Sequence, residues 1–388
     1  MLTRIIELQD RCCGCAACAA VCPVPCISIK VDDLGFPYPI VDPGRCIGCL
    51  KCESVCPALS SDKPEEPKTV CWAKSTDKAL LLRSSSGGIF GLLARWVLDE
   101  GGIVYGAAFN GSFDAVNHIR IDDSSRLDEL LRSKYVQSRL TTDLYESMCQ
   151  DLKAGGRVLI SGTPCQIKGI RKYLDARNVS IDRLLLIEVI CHGVPSPALW
   201  RRWIQFRSEL VQKKVTSVNF RSKRIGWENF SVEYFFEDGT SESIPHGDDW
   251  FMRAFLNDAS IRSSCFVCPA KCSSGSDMVL GDYWGIERTQ PNLDRSDGVS
   301  AVLVNTERGE RALEDLCFSI ESGSTSFVSV AAENSALVRS VKPYAKREAF
   351  LDDVRDALDI SVLMKKWSFR KGIFGRIVTK ARRMILKD

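Results

Sequence analysis

Cys12-x2-Cys15-x2-Cys18-x3-Cys22-Pro23 is written twice in this chain, returning 34 residues later as Cys46-x2-Cys49-x2-Cys52-x3-Cys56-Pro57. Arg11 and Arg45, and Gly14 and Gly48, recur at the same offset. A repeat this regular means two copies of one supersecondary unit. Its spacing fixes its chemistry. Three thiolates with two-residue gaps wrap three corners of one [4Fe–4S] cube, and a fourth, before proline, reaches across to the other cube. Cys12, Cys15, Cys18 and Cys56 are therefore expected to hold one cluster, and Cys46, Cys49, Cys52 and Cys22 the second. Thiolates are soft donors that suit Fe–S iron, and Gly14 and Gly48 allow backbone close to the sulfurs. Zinc sites favour paired C-x2-C knuckles over triple runs closed by Cys-Pro. Disulfides are not expected either, because residues 1–8 (MLTRIIEL) hold no signal-peptide stretch.

The chain has 388 residues, 45% apolar and 26% charged, enough for two or three domains with a buried core. No apolar run approaches the ~18–20 residues of a membrane span. Iron-bound, reduced thiols point to the cytoplasm, and cluster chemistry near a surface to an oxygen-poor cell. The net charge of +3 hides an asymmetry. From Lys365 onward nine basic residues face Asp388 alone, whereas residues 1–364 hold 43 basic and 48 acidic groups. The tail intersperses Leu363, Trp367, Ile373, Phe374, Ile377, Ile385 and Leu386 among its charges. It is expected to contact an acidic protein or an anionic membrane surface peripherally. A nucleic-acid partner is not expected, because no basic face spans a folded domain.

Beyond the repeat, Ala58–Lys68 has the Ser/Pro-rich, charged composition of a linker. Val70–Lys74 reads as a strand. Ser84-Ser85-Ser86-Gly87-Gly88 then feeds an apolar-periodic helix over Ile89–Asp99, a turn that suits either a phosphate or an ordinary serine cap. Ile103–Phe109 and Ala115–Ile121 read as strands, and Lys134–Ser138 as a loop. Two similar passages follow. Strand Arg157–Ile160 ends in Ser161-Gly162-Thr163-Pro164-Cys165-Gln166 before a helix, and strand Leu184–Ile190 ends in Cys191-His192-Gly193 before another. Strand–loop–helix twice over implies parallel strands, with ligands at their carboxyl ends. Both loops place a cysteine there. Val215–Arg221, Phe230–Phe236 and Glu242–Pro245 suggest an antiparallel region, and Phe327–Ala331 a further strand. Cys265-x2-Cys268-x3-Cys272 is one thiolate short of a cube, and Cys165 or Cys191 is the expected fourth ligand. His118 and His246 are isolated and read as structural; His192, beside Cys191, has the better claim on a site.

The segments SSSGGIF (84–90), SKYVQS (133–138), SGTPCQIKGIRKYL (161–174), ICHGVPSP (190–197), FRSKRIGWENF (220–230) and CFVCPAKC…DMVLGDYWGI (265–286) resemble, in order, the beta-subunit family of coenzyme F420 hydrogenases and dehydrogenases. Their wording is similar to the bacterial branch, here joined to an N-terminal ferredoxin. The resemblance implies an α/β fold (α+β overall). A two-cluster ferredoxin domain spans residues 1–58 and a linker 59–68. A flavin- and Fe–S-binding α/β domain with a largely parallel sheet follows, its N-terminal region at 69–150 and its C-terminal region at 151–340. A helical region with the basic tail occupies 341–388.

The resemblance also implies FAD bound near Ser85, Ser86, Gly87, Gly88, Lys134, Tyr135, Gln137, Ser138, Gly162, Thr163, Pro164, Gln166 and His192. It implies a third cluster on Cys265, Cys268 and Cys272 with Cys165 or Cys191. The activity implied is an oxidoreductase that moves electrons between [4Fe–4S] clusters and a flavin, which reacts with coenzyme F420 or another two-electron substrate. The alternative is an electron-transfer subunit that feeds a partner oxidoreductase and has no substrate site of its own.

Overall fold

The computed structural model describes residues 3–369. The repeat in the sequence is also a repeat in the backbone. Helices Ala17–Val21 and Lys51–Ser54 start from left-handed residues, Ala16 (φ 62°) and Leu50 (φ 59°), which stand at equivalent places in the two copies. Between the copies, β1 (Ile27–Val31) and β2 (Pro37–Val41) form an antiparallel hairpin with Ile27 opposite Val41. Asp32 shapes its turn by accepting from the Leu34 and Phe36 amides.

The next strands are β3 (Thr69–Ser75), β4 (Ile103–Phe109), β5 (Val116–Ile121), β6 (Ser138–Arg139), β7 (Val158–Gly162) and β8 (Leu184–Val189). Then come β9 (Val215–Ser222), β10 (Ser231–Phe236) and β11 (Ser241–Pro245), followed by β12 (Met278–Asp282), β13 (Ser300–Val304) and β14 (Ile320–Ser324). Nine of them form one sheet in the order β14-β3-β13-β12-β8-β7-β4-β5-β6. Its centre, β12-β8-β7-β4, is parallel throughout. That follows from sequence: β7 and β8 are almost wholly apolar, as strands covered on both faces must be. Helices Pro164–Ala176 and Pro197–Val211 follow them. The flanks are antiparallel, at β13, β3 and β14 on one side and β5 on the other. Strands from 69–150 and from 151–340 thus share one sheet.

β9, β10 and β11 make the expected separate antiparallel sheet. It closes over an aromatic core that includes Trp200, Trp203, Phe220, Trp250 and Phe251. Phe327–Ala331 is not a strand. Ser326 accepts from the Ser329 amide and starts helix Phe327–Glu333, while the edge strand forms over Ile320–Ser324. That strand is mostly exposed, so it carried no apolar alternation to reveal it.

The linker is pinned down: Asp62 pairs with Lys168 and Lys172, and the Glu65 amide bonds the Cys272 carbonyl. Of the tail, Leu363 and Trp367 belong to the core, where the Trp367 indole donates to Asp353, so neither is free for a membrane or partner. Residues 370–388, which hold the rest of that expected contact, lie outside the described residues. None of the described helices is long and apolar enough to cross a membrane.

Candidate functional site

A cavity of ≈ 680 Å³ opens at the carboxyl ends of the central strands, within the size range of small-molecule and cofactor sites. Helix Ile89–Asp99 begins at one wall, where Gly88 (φ 82°), Ile89, Phe90 and Gly91 line the space. First-turn amides have no intrahelical partners and sit at the positive end of the dipole. Lys134 lies on the same cavity, and its Nζ donates to the carbonyls of Leu131 (2.6 Å) and Arg132 (3.4 Å). Enclosure, with Arg132 nearby, lowers this amine to about 7. His118 lines the cavity from β5 and is 6% exposed. Its Nε2 lies 3.0 Å from the Ser161 carbonyl, and its buried Nδ1 has no partner. An orphaned acceptor and an ammonium bonded only to carbonyls are what a polar, anionic cofactor would satisfy.

Another part of the lining joins the small sheet to the end of β12. Arg221 grips Asp282 at 2.8 and 3.2 Å and lies over the Phe230 ring, and the Trp227 indole donates to Asp282. Trp227 and Trp284 stack at 4.7 Å. Arg221, Phe230, Asp282 and Trp284 all line the cavity.

A second, far smaller cavity lies beside the first. Cys165, Cys191, Cys265 and Cys268 converge on it, with Cys13, Arg262 and Lys271. Burial pushes the Cys191 thiol well above its ordinary value, Cys265 to about 12 and Cys268 to about 11. Such thiols stay protonated unless a metal takes them as thiolates. No three Cys, His, Asp or Glu side chains among the described residues gather closely enough for a single ion. A cube asks for a different arrangement, because iron and sulfide stand between its corner thiolates. Thr163, Gln166, Cys191, His192, Gly193 and Val194 line both cavities. One layer of residues separates them.

In the N-terminal unit, Cys22, Cys46, Cys49 and Cys52 surround one small cavity. Burial, then the Cys12 and Cys56 thiols, push Cys18 up, and Cys15 lies beside Cys18 and Cys56. Cys26, read as a packing residue, lines the cavity of Cys22, Cys46, Cys49 and Cys52 as well, and Cys52 also lies near Cys18 and Cys56. Three buried side chains of the large domain hold the first loop: the Arg262 Nε bonds the Cys12 carbonyl, the Gln137 Nε2 that of Cys13, and the Tyr145 hydroxyl that of Cys15.

Residues 11–59 match the 4Fe-4S dicluster domain, and residues 155–324 match the family described as the C terminus of the coenzyme F420 hydrogenase/dehydrogenase beta subunit. Residues 155–324 belong to that beta-subunit family. The chain thus joins an iron–sulfur electron-transfer domain to a segment related to an oxidoreductase beta subunit. No curated protein matches it. Among solved structures, a chain of the F420-reducing [NiFe] hydrogenase complex from Methanosarcina barkeri, in a xenon-derivatised form, is 18% identical. That likeness covers 81% of this chain and 97% of the other, with a TM-score of 0.48.

The cavities redistribute the residues that the beta-subunit resemblance implied. Ser85, Ser86, Gly88, Lys134, Tyr135, Ser138, Gly162, Thr163, Gln166 and His192 line the large cavity. Gly87, Gln137 and Pro164 do not. Gly87 packs on the sheet, where a β-carbon would meet the Ala73 carbonyl at 2.3 Å, and its amide is used by Ser300 Oγ. Gln137 turns to the ferredoxin loop, and Pro164 lines the thiol cavity.

The Thr163 amide is also taken, by the Gln166 side chain in a capping box. Cys272 does not join the thiol cavity. Its backbone is left-handed (φ 53°), and its Sγ lies against the Leu337 carbonyl. Both loop cysteines line the cavity, where one was expected. His118 and His246, read as structural, both line the large cavity. Single histidines with no spacing gave no signal; Arg221 and Trp284 did lie inside two of the quoted segments.

Proposed function

We propose that this chain is an oxidoreductase that moves electrons between a one-electron partner protein and a two-electron small molecule, with FAD in the large cavity and a third [4Fe–4S] cluster in the small one. The shared wall carries this reading: Cys191 lines both cavities, so a cluster held by Cys191 would adjoin a cofactor in the large one. When bound, FAD would exchange electrons in pairs with a substrate and singly with iron–sulfur centres.

The chain's own residues then have defined tasks. Cys165, Cys191, Cys265 and Cys268 would hold the third cluster, and Cys272 would not. Lys134 and the first-turn amides of helix Ile89–Asp99 would take the cofactor's phosphates, and His118 Nδ1 would accept from its polar edge. Arg221, held by Asp282, and Trp284 would form the face that receives the substrate. Of the eight ferredoxin ligands Cys49 alone is exposed, between the exposed Ile47 and Leu50. That loop would meet the partner protein.

Anaerobically prepared, iron-replete protein, precipitated with acid, should release one flavin per chain, and reduced holoprotein should reduce a small two-electron acceptor. Release of no flavin would remove the two-electron centre and leave a protein that only carries electrons.

A further inference from the structure

We propose that Arg262 is the shared counter-cation of two iron–sulfur clusters, holding the reduction potentials of both above where they would otherwise lie. The inference rests on the cluster in the small cavity proposed above. Arg262 is 1% exposed, and its guanidinium has only neutral partners. Nε donates to the Cys12 carbonyl at 2.7 Å, Nη2 to the Pro37 carbonyl at 2.8 Å and Nη1 to Gln137 Oε1 at 3.1 Å. The Tyr38 ring lies 4.2 Å from its centre. Among the described residues no carboxylate forms an ion pair with it; the acid nearest in influence, Asp32, is occupied by the Leu34 and Phe36 amides.

A buried cation without a counter-charge is strongly disfavoured, so the compensating charge must come from what the site binds. It lies on two sides. A β-carbon on Gly14 would meet Arg262 Nη1 at 3.1 Å, which sets the guanidinium against the first cluster's loop. Arg262 also lines the cavity of Cys165, Cys191, Cys265 and Cys268. A four-iron cube with four thiolates is net negative and gains one more negative charge when reduced. A fixed cation beside it in a water-poor interior favours the reduced form and raises the potential. Lys271 makes a natural contrast. It lines the same cavity and donates to the Cys191 carbonyl at 2.6 Å, on the side of the small-cavity cluster alone.

The test is an EPR-monitored redox titration of anaerobic holoprotein, with the small-cavity cluster assigned by its loss in Cys265→Ser. Gln137→Glu places a carboxylate on Arg262 and balances its charge in place, and should move both midpoints to more negative values. Arg262→Gln should do the same, Arg262→Lys should stay near wild type, and Lys271→Met should move the small-cavity cluster alone. Should Arg262→Gln lose iron, Gln137→Glu decides. Unmoved midpoints in Gln137→Glu, with iron retained, overturn the proposal. A wild type with about eight irons instead of about twelve refutes the third cluster and with it the shared role, whereas the first cluster's shift is read independently.

Discussion

Gly169 lies so close to Cys15 that a β-carbon on it would stand 2.8 Å from the Cys15 Sγ. Cys165 precedes Gly169 by four residues on helix Pro164–Ala176, so both occupy one face. A single helix therefore touches the first ferredoxin loop with one turn and presents a thiol to the small cavity with the turn before. Lys168 fastens the same helix to the Cys265–Cys272 loop through the Pro269 carbonyl and Ser273.

Gly169→Ala should accordingly separate what this helix joins. Overpacking at a buried contact costs about 1–3 kcal/mol, and here the displaced atom is a proposed cluster ligand. The variant should lose iron from the first cluster before the others, and proteases should cut the Ala58–Lys68 linker faster. Wild-type iron content with an unchanged cleavage rate would show that the loop yields freely and that the close approach has no consequence.

The choice of thiols in the small cavity predicts an asymmetric series. Cys165→Ser, Cys191→Ser, Cys265→Ser and Cys268→Ser should each lower iron by about four atoms per chain. Cys272→Ser should lower it not at all. Iron and acid-labile sulfide assays of anaerobically reconstituted protein read this directly. A loss in Cys272→Ser with retention in either Cys165→Ser or Cys191→Ser would restore the assignment that spacing alone suggests.

That reversal shows which parts of this fold were legible. The dicluster ferredoxin unit was, because its cysteine spacing is written twice. So was the parallel centre, since β7 and β8 each announce an apolar strand followed by a loop and a helix. Cys272 was not, because spacing says nothing of backbone handedness, and at φ of 53° it does not line the cavity of the other four thiols. His118 and Arg262 were invisible for another reason. Each acts through partners far along the chain, Ser161 for one and Cys12 for the other. No local pattern encodes such a meeting; it arises only once the sheet is ordered and the ferredoxin loop is docked.

His118 offers a test of the large cavity that does not depend on turnover. With Nε2 facing a carbonyl, that nitrogen must carry the hydrogen, so Nδ1 is an acceptor. Burial lowers the imidazole to about 4, which keeps it neutral at pH 7. His118→Phe keeps the ring and removes the acceptor. FAD titrated into flavin-free protein and followed by its fluorescence should bind about 3- to 10-fold more weakly, the equivalent of one net hydrogen bond of about 1 kcal/mol. An unchanged affinity would mean that Nδ1 faces nothing in the bound state.

Lys134 ties the same cavity to pH. An amine ordinarily near 10.4 is lowered here to about 7 by enclosure, with Arg132 adding to the effect. Between those values the unfolded chain binds a proton at this site and the folded chain does not. Stability of the flavin-free protein should therefore rise with pH from about 7 toward 10, and below about 7 Lys134 should add no pH dependence. Lys223, lowered to about 8 by its own burial, adds to the same slope over a narrower span. Lys134→Met should flatten the rise in Tm without abolishing it. Binding has the opposite sign. An anionic phosphate favours the ammonium, so association above pH 7 must take up a proton, and affinity should fall by up to about tenfold per pH unit. FAD dissociation constants at pH 6.5, 7.5 and 8.5 should thus climb in the wild type. In Lys134→Met they should start weaker and stay level across the range. A wild-type constant that stays level as well would place the phosphates away from Lys134.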